Sequence, residues 1–296
     1  MTKCGYAAIV GAPNAGKSTL LNDMAGVKLS IVTPKPQTTR FRVLGVVMRG
    51  ETQVLLVDTP GIFQPIRRLD RAMVAAAWVG MKDADVVLLT VDAKAGLTQQ
   101  LEEILSRLSE AKSRYWLVIN KIDLLAKPAL LLLSEKLNAM APFEKTFMVS
   151  AKTGNGVDRL LDNLAKAMPD APFLYPPDHM TDLPERLLAA EIVREQIFLQ
   201  THDEVPFSTT VETEFWQERK DSSVRVDCTI YVARAGQKAI VIGEKGARIR
   251  TIGARARSEL AKLIERPVHL FLQVKERPAW DGETARLRAI GLEDVE

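Results

Sequence analysis

Two periodicities divide the chain. Short, continuous apolar runs at residues 6–10, 54–57, 86–91, 115–119 and 147–149 are bounded by glycine, proline or polar residues, the pattern of strands buried on both faces. Between them, apolar residues recur at helical spacing over roughly residues 19–24, 71–79, 99–108, 128–137 and 157–167. Residues 28–45 read as an irregular stretch with a further strand from about Phe41. Strand and helix alternating at this rhythm predict a mostly parallel sheet covered by helices, an α/β domain with the loops after its strands gathered at one edge.

Residues 168–180 hold four prolines in thirteen positions, which no helix interior or central strand accepts. They mark a boundary, with residues 1–170 as one domain, 171–182 as a linker and 183–296 as a second domain. The second half has another rhythm. A helix is predicted over residues 182–200, capped by Asp182, and a loosely alternating strand over 207–215. Residues 224–232 alternate cleanly, with Val224, Val226, Cys228, Ile230 and Val232 on one face. A short apolar piece at 239–242, a helix over 247–264 and a strand over 269–274 follow, giving an α+β order. The tail 281–296 contains one short amphipathic helix candidate and ends acidic.

The length of 296 residues suits two domains at about 100–200 residues each. A composition 47% apolar and 26% charged reads as soluble and globular, and the net charge of +3 does not by itself point to nucleic acid. The charge is concentrated, however. Residues 238–266 carry eight basic side chains (Lys238, Lys245, Arg248, Arg250, Arg255, Arg257, Lys262 and Arg266) against three acids, a net charge of +5. Cys4 and Cys228 form no disulfide framework or metal cluster and read as small buried thiols of a reducing cytosol. His179, His202 and His269 show no metal spacing, and His269 reads as structural. Trp216 and Trp280 read as packing residues rather than base-stacking ones. No apolar run approaches the roughly 18 residues of a membrane span, and the first residues lack the flanks of a signal peptide. The expected location is the cytoplasm, with peripheral membrane contact left open.

The chemistry-bearing residues lie where the strands end. Gly11, Asn14, Ala15, Gly16, Lys17, Ser18 and Thr19 belong to a GxxxxGKS sequence between a predicted strand and a predicted helix. In that context glycines turn backbone N–H groups toward phosphates, Lys17 reaches the β- and γ-phosphates, and Ser18 ligates Mg²⁺. Asp58, Thr59 and Gly61 (DTPG) end the next strand, where a carboxylate can hold Mg²⁺ through water and Gly61 offers an N–H to the γ-phosphate. Asn120, Lys121 and Asp123 (NKID) follow the fourth apolar run. One carboxylate, Asp123, can accept from both N1–H and N2–H₂ of guanine; Asn120 can bridge base edge and loop, and Lys121 can cover the ring. Ser150, Ala151 and Lys152 open a loop suited to the guanine carbonyl oxygen.

These motifs in this order resemble the translation-factor-related GTPases, and the second half resembles a type II KH domain, a pairing known in ribosome-assembly GTPases. The resemblance implies hydrolysis of GTP to GDP with Mg²⁺, and it makes the irregular stretch a first switch in which Thr38 or Thr39, by preference Thr39, ligates Mg²⁺. Ile62 stands where many GTPases carry a water-orienting glutamine, so slow intrinsic turnover is implied. Asn14 can hold K⁺ in some relatives, or can merely shape the loop. For the second domain the resemblance implies that Gly243, Glu244, Lys245 and Gly246 (GEKG) clamp about four nucleotides of RNA, with Lys238, Arg248, Arg250 and Arg255 as basic neighbours. Glu244 inside the turn, and the absence of an acid in residues 232–236, depart from the usual pattern. The implied partners are the 3′ end of small-subunit ribosomal RNA, the 30S subunit and, loosely, the inner membrane surface, for a monomeric protein. A GTPase of tRNA modification or cell division is one alternative, which the KH pattern disfavours. An RNA-binding protein with a vestigial nucleotide site is another, which the presence of Lys17, Asp58 and Asp123 disfavours.

Overall fold

The computed structural model describes residues 2–108 and 114–292. It divides into two compact units, one of Met1–Ser30, Pro36–Asp182 and Gly291–Glu296, the other of Ile31–Lys35 and Leu183–Ile290.

The first unit is built on six strands: β1 (Lys3–Val10), β2 (Val43–Arg49), β3 (Thr52–Asp58), β4 (Val86–Asp92), β5 (Tyr115–Asn120) and β6 (Lys145–Met148). Their order is β2-β3-β1-β4-β5-β6. Only β2 runs antiparallel, paired with β3; the other neighbours are parallel. Interleaved are the helices α1 (Lys17–Ala25), α2 (Arg68–Lys82), α3 (Gln99–Leu108), α4 (Lys127–Met140) and α5 (Val157–Ala167). Their apolar stripes bury the sheet, as Leu101, Ile104, Leu105 and Leu108 of α3 do at helical spacing. Parallel pairing puts the ends of β1, β3, β4, β5 and β6 on one edge, and the phosphate loop, DTPG, NKID and the Ser150 loop follow four of them.

The proline-rich stretch is bound along this sheet. The buried Gln53 of β3 accepts from the amides of Leu174 and Tyr175 at 2.9 and 3.0 Å and donates to the Tyr175 carbonyl at 2.8 Å. Thr181 Oγ1 donates to the Leu44 carbonyl at 2.7 Å, so the segment has partners for its backbone without joining a strand.

The second unit has the order α6 (Glu185–Gln200), β7 (Thr209–Glu218), β8 (Val224–Val232), α7 (Ala235–Ile242), α8 (Ala247–Leu263) and β9 (Val268–Glu276), with α9 (Thr284–Ala289) after it. The sheet order is β7-β8-β9, with β7 antiparallel and β9 parallel to β8. Val224, Val226, Cys228, Ile230 and Val232 are all buried, and each apolar side chain among them stabilises the fold by about 1.5–3 kcal/mol. That burial locks the register, because a one-residue slip would turn all five outward. Asp182 does not cap α6: proline at 184 holds the N-cap position, and Asp182 lies 4.0 Å from Arg42 instead. Trp280 is buried, its indole N–H donating to the Ser208 carbonyl at 3.0 Å. His269 is exposed on the outer face of β9 rather than buried in the structure. Ile31 joins this unit's core, Val32 donates its amide to Glu195 Oε1 at 2.8 Å, and Lys35 Nζ donates to the Phe198 carbonyl at 2.5 Å. Of the tail, residues 293–296 lie outside the described residues.

Candidate nucleotide site and nucleic-acid interface

After β1 the chain turns through two glycines that no other residue could replace. Gly11 has φ +146°, and a Cβ there would lie 2.3 Å from the Thr90 carbonyl oxygen; Gly16 has φ +89°, and a Cβ would lie 2.3 Å from Asn120 Nδ2. Asn14 takes φ +62°, a left-handed value its short amide side chain tolerates. The turn delivers the chain into α1, whose N-terminus carries no side-chain cap and so offers its amides and dipole to an anion. Ala15 is buried behind the turn, and Ser18 and Thr19 follow on α1. Lys17 is 6% exposed, and its Nζ donates to the carbonyls of Gly11 and Ala12 at 3.2 and 3.0 Å. Burial pushes its ammonium down to about 8, with the Asp58 carboxylate acting in the opposite direction.

Four side chains converge beside it. Asp58 Oδ2 accepts from Ser18 Oγ at 2.6 Å, from Ser30 Oγ at 2.8 Å and from Thr39 Oγ1 at 3.3 Å, and the Ser18 and Thr39 hydroxyls are 2.8 Å apart. Burial raises the Asp58 pKa, opposed by Lys17 and the three hydroxyls. Asp58 Oδ1 is buried with no partner among the described residues. An oxygen-only donor set with an orphaned carboxylate oxygen fits a hard divalent cation such as Mg²⁺. Ser30 had not been singled out from the sequence, where it is one serine in an apolar stretch. Asn22 of α1 holds it: Oδ1 accepts from the Leu29 and Ser30 amides at 2.9 Å each, and Nδ2 donates to the Ser30 carbonyl at 2.8 Å.

Thr59 is placed differently from expectation. It is fully buried and its hydroxyl donates to the Ile9 carbonyl at 2.9 Å, so its side chain braces β3 against β1 rather than facing a ligand. Gly61 lies against the phosphate loop, where a Cβ would come within 2.9 Å of the Pro13 nitrogen. Ile62 packs into the core, and its amide donates to the Gly11 carbonyl at 3.0 Å.

At the base end, Asp123 is exposed and accepts from Ser150 Oγ at 2.6 Å. Asn120 ties loops of the site together. Its Nδ2 donates to the Ala15 carbonyl at 3.0 Å, and its Oδ1 accepts from the amides of Ala151 at 3.0 Å and Lys121 at 2.8 Å. It is 1% exposed. Lys121 Nζ donates to the Asn14 carbonyl and to Asp92 Oδ2, both at 2.6 Å. Asp92, which ends β4, is a further residue the sequence reading missed, although an acid at that strand end was a usable signal. Lys152 is exposed beside the buried Ser150 and Ala151.

In the second unit the GEKG turn joins α7 to α8. Gly243 has φ +72°, and a Cβ there would lie 2.7 Å from Arg248 Cβ. Gly246, the N-cap of α8 at φ +76°, has open space where its Cβ would be, so its backbone conformation and not crowding selects glycine. Glu244 and Lys245 are exposed at the tip, and Lys238 is half-buried on α7. Beside the turn lies a groove of about 320 Å³ lined by Ile249, Arg250, Gly253, Ala254 and Arg257 of α8 and Leu270, Phe271 and Leu272 of β9. Of the basic residues chosen from sequence, only Arg250 lines it. At 100° per residue Arg255 points about 140° away from Arg250. Arg248 donates to the Ile240 carbonyl, and Arg250 also donates to the Lys245 carbonyl at 3.0 Å. Arg257 is in the groove, brought there by the same helical spacing.

Comparison with known proteins follows this division. Residues 6–121 match a family described as 50S ribosome-binding GTPase, and residues 204–281 match the KH domain family. The chain is 52% identical to GTPase Era of Afipia carboxidovorans over 292 residues, covering 99% of this chain and 95% of that one. It is 49% identical to GTPase Era of Brucella suis, covering 99% and 94%. A variant of Aquifex aeolicus Era bound to GDP·AlF₄⁻ superimposes with a TM-score of 0.94 at 40% identity, covering 98% of this chain and 99% of that one. The same figures hold for Era in complex with MgGDPNP and nucleotides 1506–1542 of 16S ribosomal RNA. With both halves matched in order and relatives aligned over nearly the whole length, the chain belongs to the Era family of GTPases.

Proposed function

We propose that this GTPase is a Mg²⁺-dependent switch that binds the 3′ end of small-subunit ribosomal RNA and acts in maturation of the 30S subunit. The observation that carries this reading is the relative whose full-length fold superimposes with a TM-score of 0.94 and which is complexed with both MgGDPNP and 16S nucleotides 1506–1542. The geometry is in keeping with it. The turn amides of residues 14–18 and Lys17 face the phosphates, Asp123 with Ser150 behind it receives guanine, and Gly61 brings its N–H near the γ-phosphate. Ser18, Thr39 and Asp58 would hold Mg²⁺, which neutralises charge on the β- and γ-phosphate oxygens. Ile62 can neither orient nor deprotonate water, so intrinsic hydrolysis is slow. Asn14 holds K⁺ beside the phosphates in this reading. The GEKG turn and the α8–β9 groove bind single-stranded RNA. The protein works in the cytoplasm as a monomer, with peripheral contact to the inner membrane; no helix among the described residues is long and apolar enough to cross one.

The separation of the two activities is testable with Gly246→Asp. The open space at this position and the tolerance of aspartate for left-handed backbone leave the fold intact, while a second negative charge joins Glu244 at the clamp. RNA affinity should fall at least about tenfold, with GTP binding and basal hydrolysis unchanged. A variant with the parent's melting curve and the parent's RNA affinity removes the GEKG turn from RNA binding.

A further inference from the structure

The second sheet has one face covered by helices and one that is not. On the outer face of β8 stand Arg225, Asp227, Thr229 and Tyr231. The Tyr231 end is closed by α9: the Arg286 guanidinium lies 3.9 Å from the Tyr231 ring centroid, and Tyr231 is buried. The Arg225 end is open. Phe215 of β7 is 43% exposed and Phe271 of β9 is 52% exposed, two large apolar side chains on an otherwise polar face. The Arg225 guanidinium carbon lies 5.5 Å from the Phe215 ring centroid and 5.0 Å from that of Phe271. Arg225 Nε and Nη2 donate to Asp227 at 3.0 and 2.9 Å. The ion pair holds the guanidinium beside both rings and offsets its charge.

We propose that the row Phe271–Arg225–Phe215 is a second nucleobase-binding site, which takes the portion of a single-stranded RNA that runs out of the groove and over the edge strand β9. The inference rests on the RNA-binding reading above. Continuity favours RNA as the occupant, since β9, the edge strand that walls the groove, also carries Phe271 at one end of the row. A clamp of the GxxG kind holds only about four nucleotides, so a longer strand must leave the groove, and β9 is the sheet edge beside it. The chemistry favours bases over phosphates. The one cation in the row already has its carboxylate, whereas the exposed rings and the guanidinium plane offer flat surfaces on which any base stacks. The site would therefore add affinity with little sequence preference.

The test compares two RNA lengths on the full chain. Oligoribonucleotides of about four and about ten residues from the 3′ end of small-subunit ribosomal RNA are titrated by fluorescence anisotropy against the parent, Phe215→Ala and Phe215→Leu. Phe215 lies outside the groove and is exposed, so the fold should tolerate both changes. The leucine keeps an apolar side chain but removes the aromatic face. Both variants should bind the longer RNA about tenfold more weakly and the shorter one as the parent does. Undiminished binding of the longer RNA overturns the proposal. So does recovery in Phe215→Leu, which would mean simple apolar cover, and so does an equal loss at both lengths, which would mean a disturbed groove. A parent that binds neither length removes the RNA-binding reading itself, a result visible before any variant is compared.

Discussion

Asn120→Ala should weaken all nucleotides alike, because its side chain ties the loops of the site together. Its side chain is 1% exposed and ties three segments together: Nδ2 to the Ala15 carbonyl of the phosphate loop, Oδ1 to the amides of Ala151 and Lys121. Truncation deletes these bonds and leaves the Ala151 amide buried without its acceptor. Each lost bond is worth about 1 kcal/mol net, and an orphaned buried amide costs about 1–3 kcal/mol. Together they come to about 4–6 kcal/mol, or about 1000- to 30,000-fold in affinity if the whole loss falls on the binding-competent loop arrangement. Asp123→Asn acts on the other term. It should weaken GTP about a hundredfold or more and shift preference toward XTP, because xanthine carries a carbonyl where guanine has its amino group and an amide can donate to it. Titration of labelled GTP, GDP and XTP against both variants separates the effects. If Asn120→Ala binds GTP and GDP as tightly as the parent does, the bracing assignment is wrong.

Ser30→Ala should raise the Mg²⁺ concentration needed for half-maximal GTP binding about tenfold, the loss of one hydrogen bond to a charged group, while GDP binding in excess Mg²⁺ changes little; an unchanged Mg²⁺ titration would make Ser30 a packing residue. Turnover should be several-fold faster in KCl than in NaCl at equal ionic strength, a difference that Asn14→Ala abolishes; equal rates for the parent in both salts would remove Asn14 from ion binding and leave the phosphate loop assignment standing.

The first domain was legible because its chemistry sits on punctuation. Glycines with positive φ, an acid at a strand end and a threonine-rich loop are each tied to one position along the chain, and parallel pairing then brings strand ends together whatever lies between. Side-chain direction was not legible to the same degree. Asn120 and Thr59 stand inside nucleotide motifs, yet both turn into the protein, Thr59 to the Ile9 carbonyl and Asn120 to two neighbouring loops. A motif fixes where the backbone passes; which of its side chains face the ligand depends on which buried backbone groups lack a partner, and that is a property of the packed structure. Ser30 shows the converse. No spacing rule announces it, because its place beside Asp58 is set by Asn22 clamping the chain from α1.

In the second domain the same limit produces a sharper result. The GEKG turn was visible as a pair of glycines between helical pieces, and the two glycines prove to be there for different reasons, Gly243 for space as well as backbone and Gly246 for backbone alone. Of the basic residues near the turn, Arg250 and Arg257 line the groove, while helical geometry turns Arg248 and Arg255 away from it. The groove is made by what lies one helical turn apart on α8 together with the edge strand β9. Its lining includes Gly253 and Ala254, residues with no chemistry of their own, and Gly253 has Leu272 3.4 Å from the position its Cβ would take. The groove is therefore shaped as much by uncharged residues, which a search for charge passes over, as by Arg250 and Arg257.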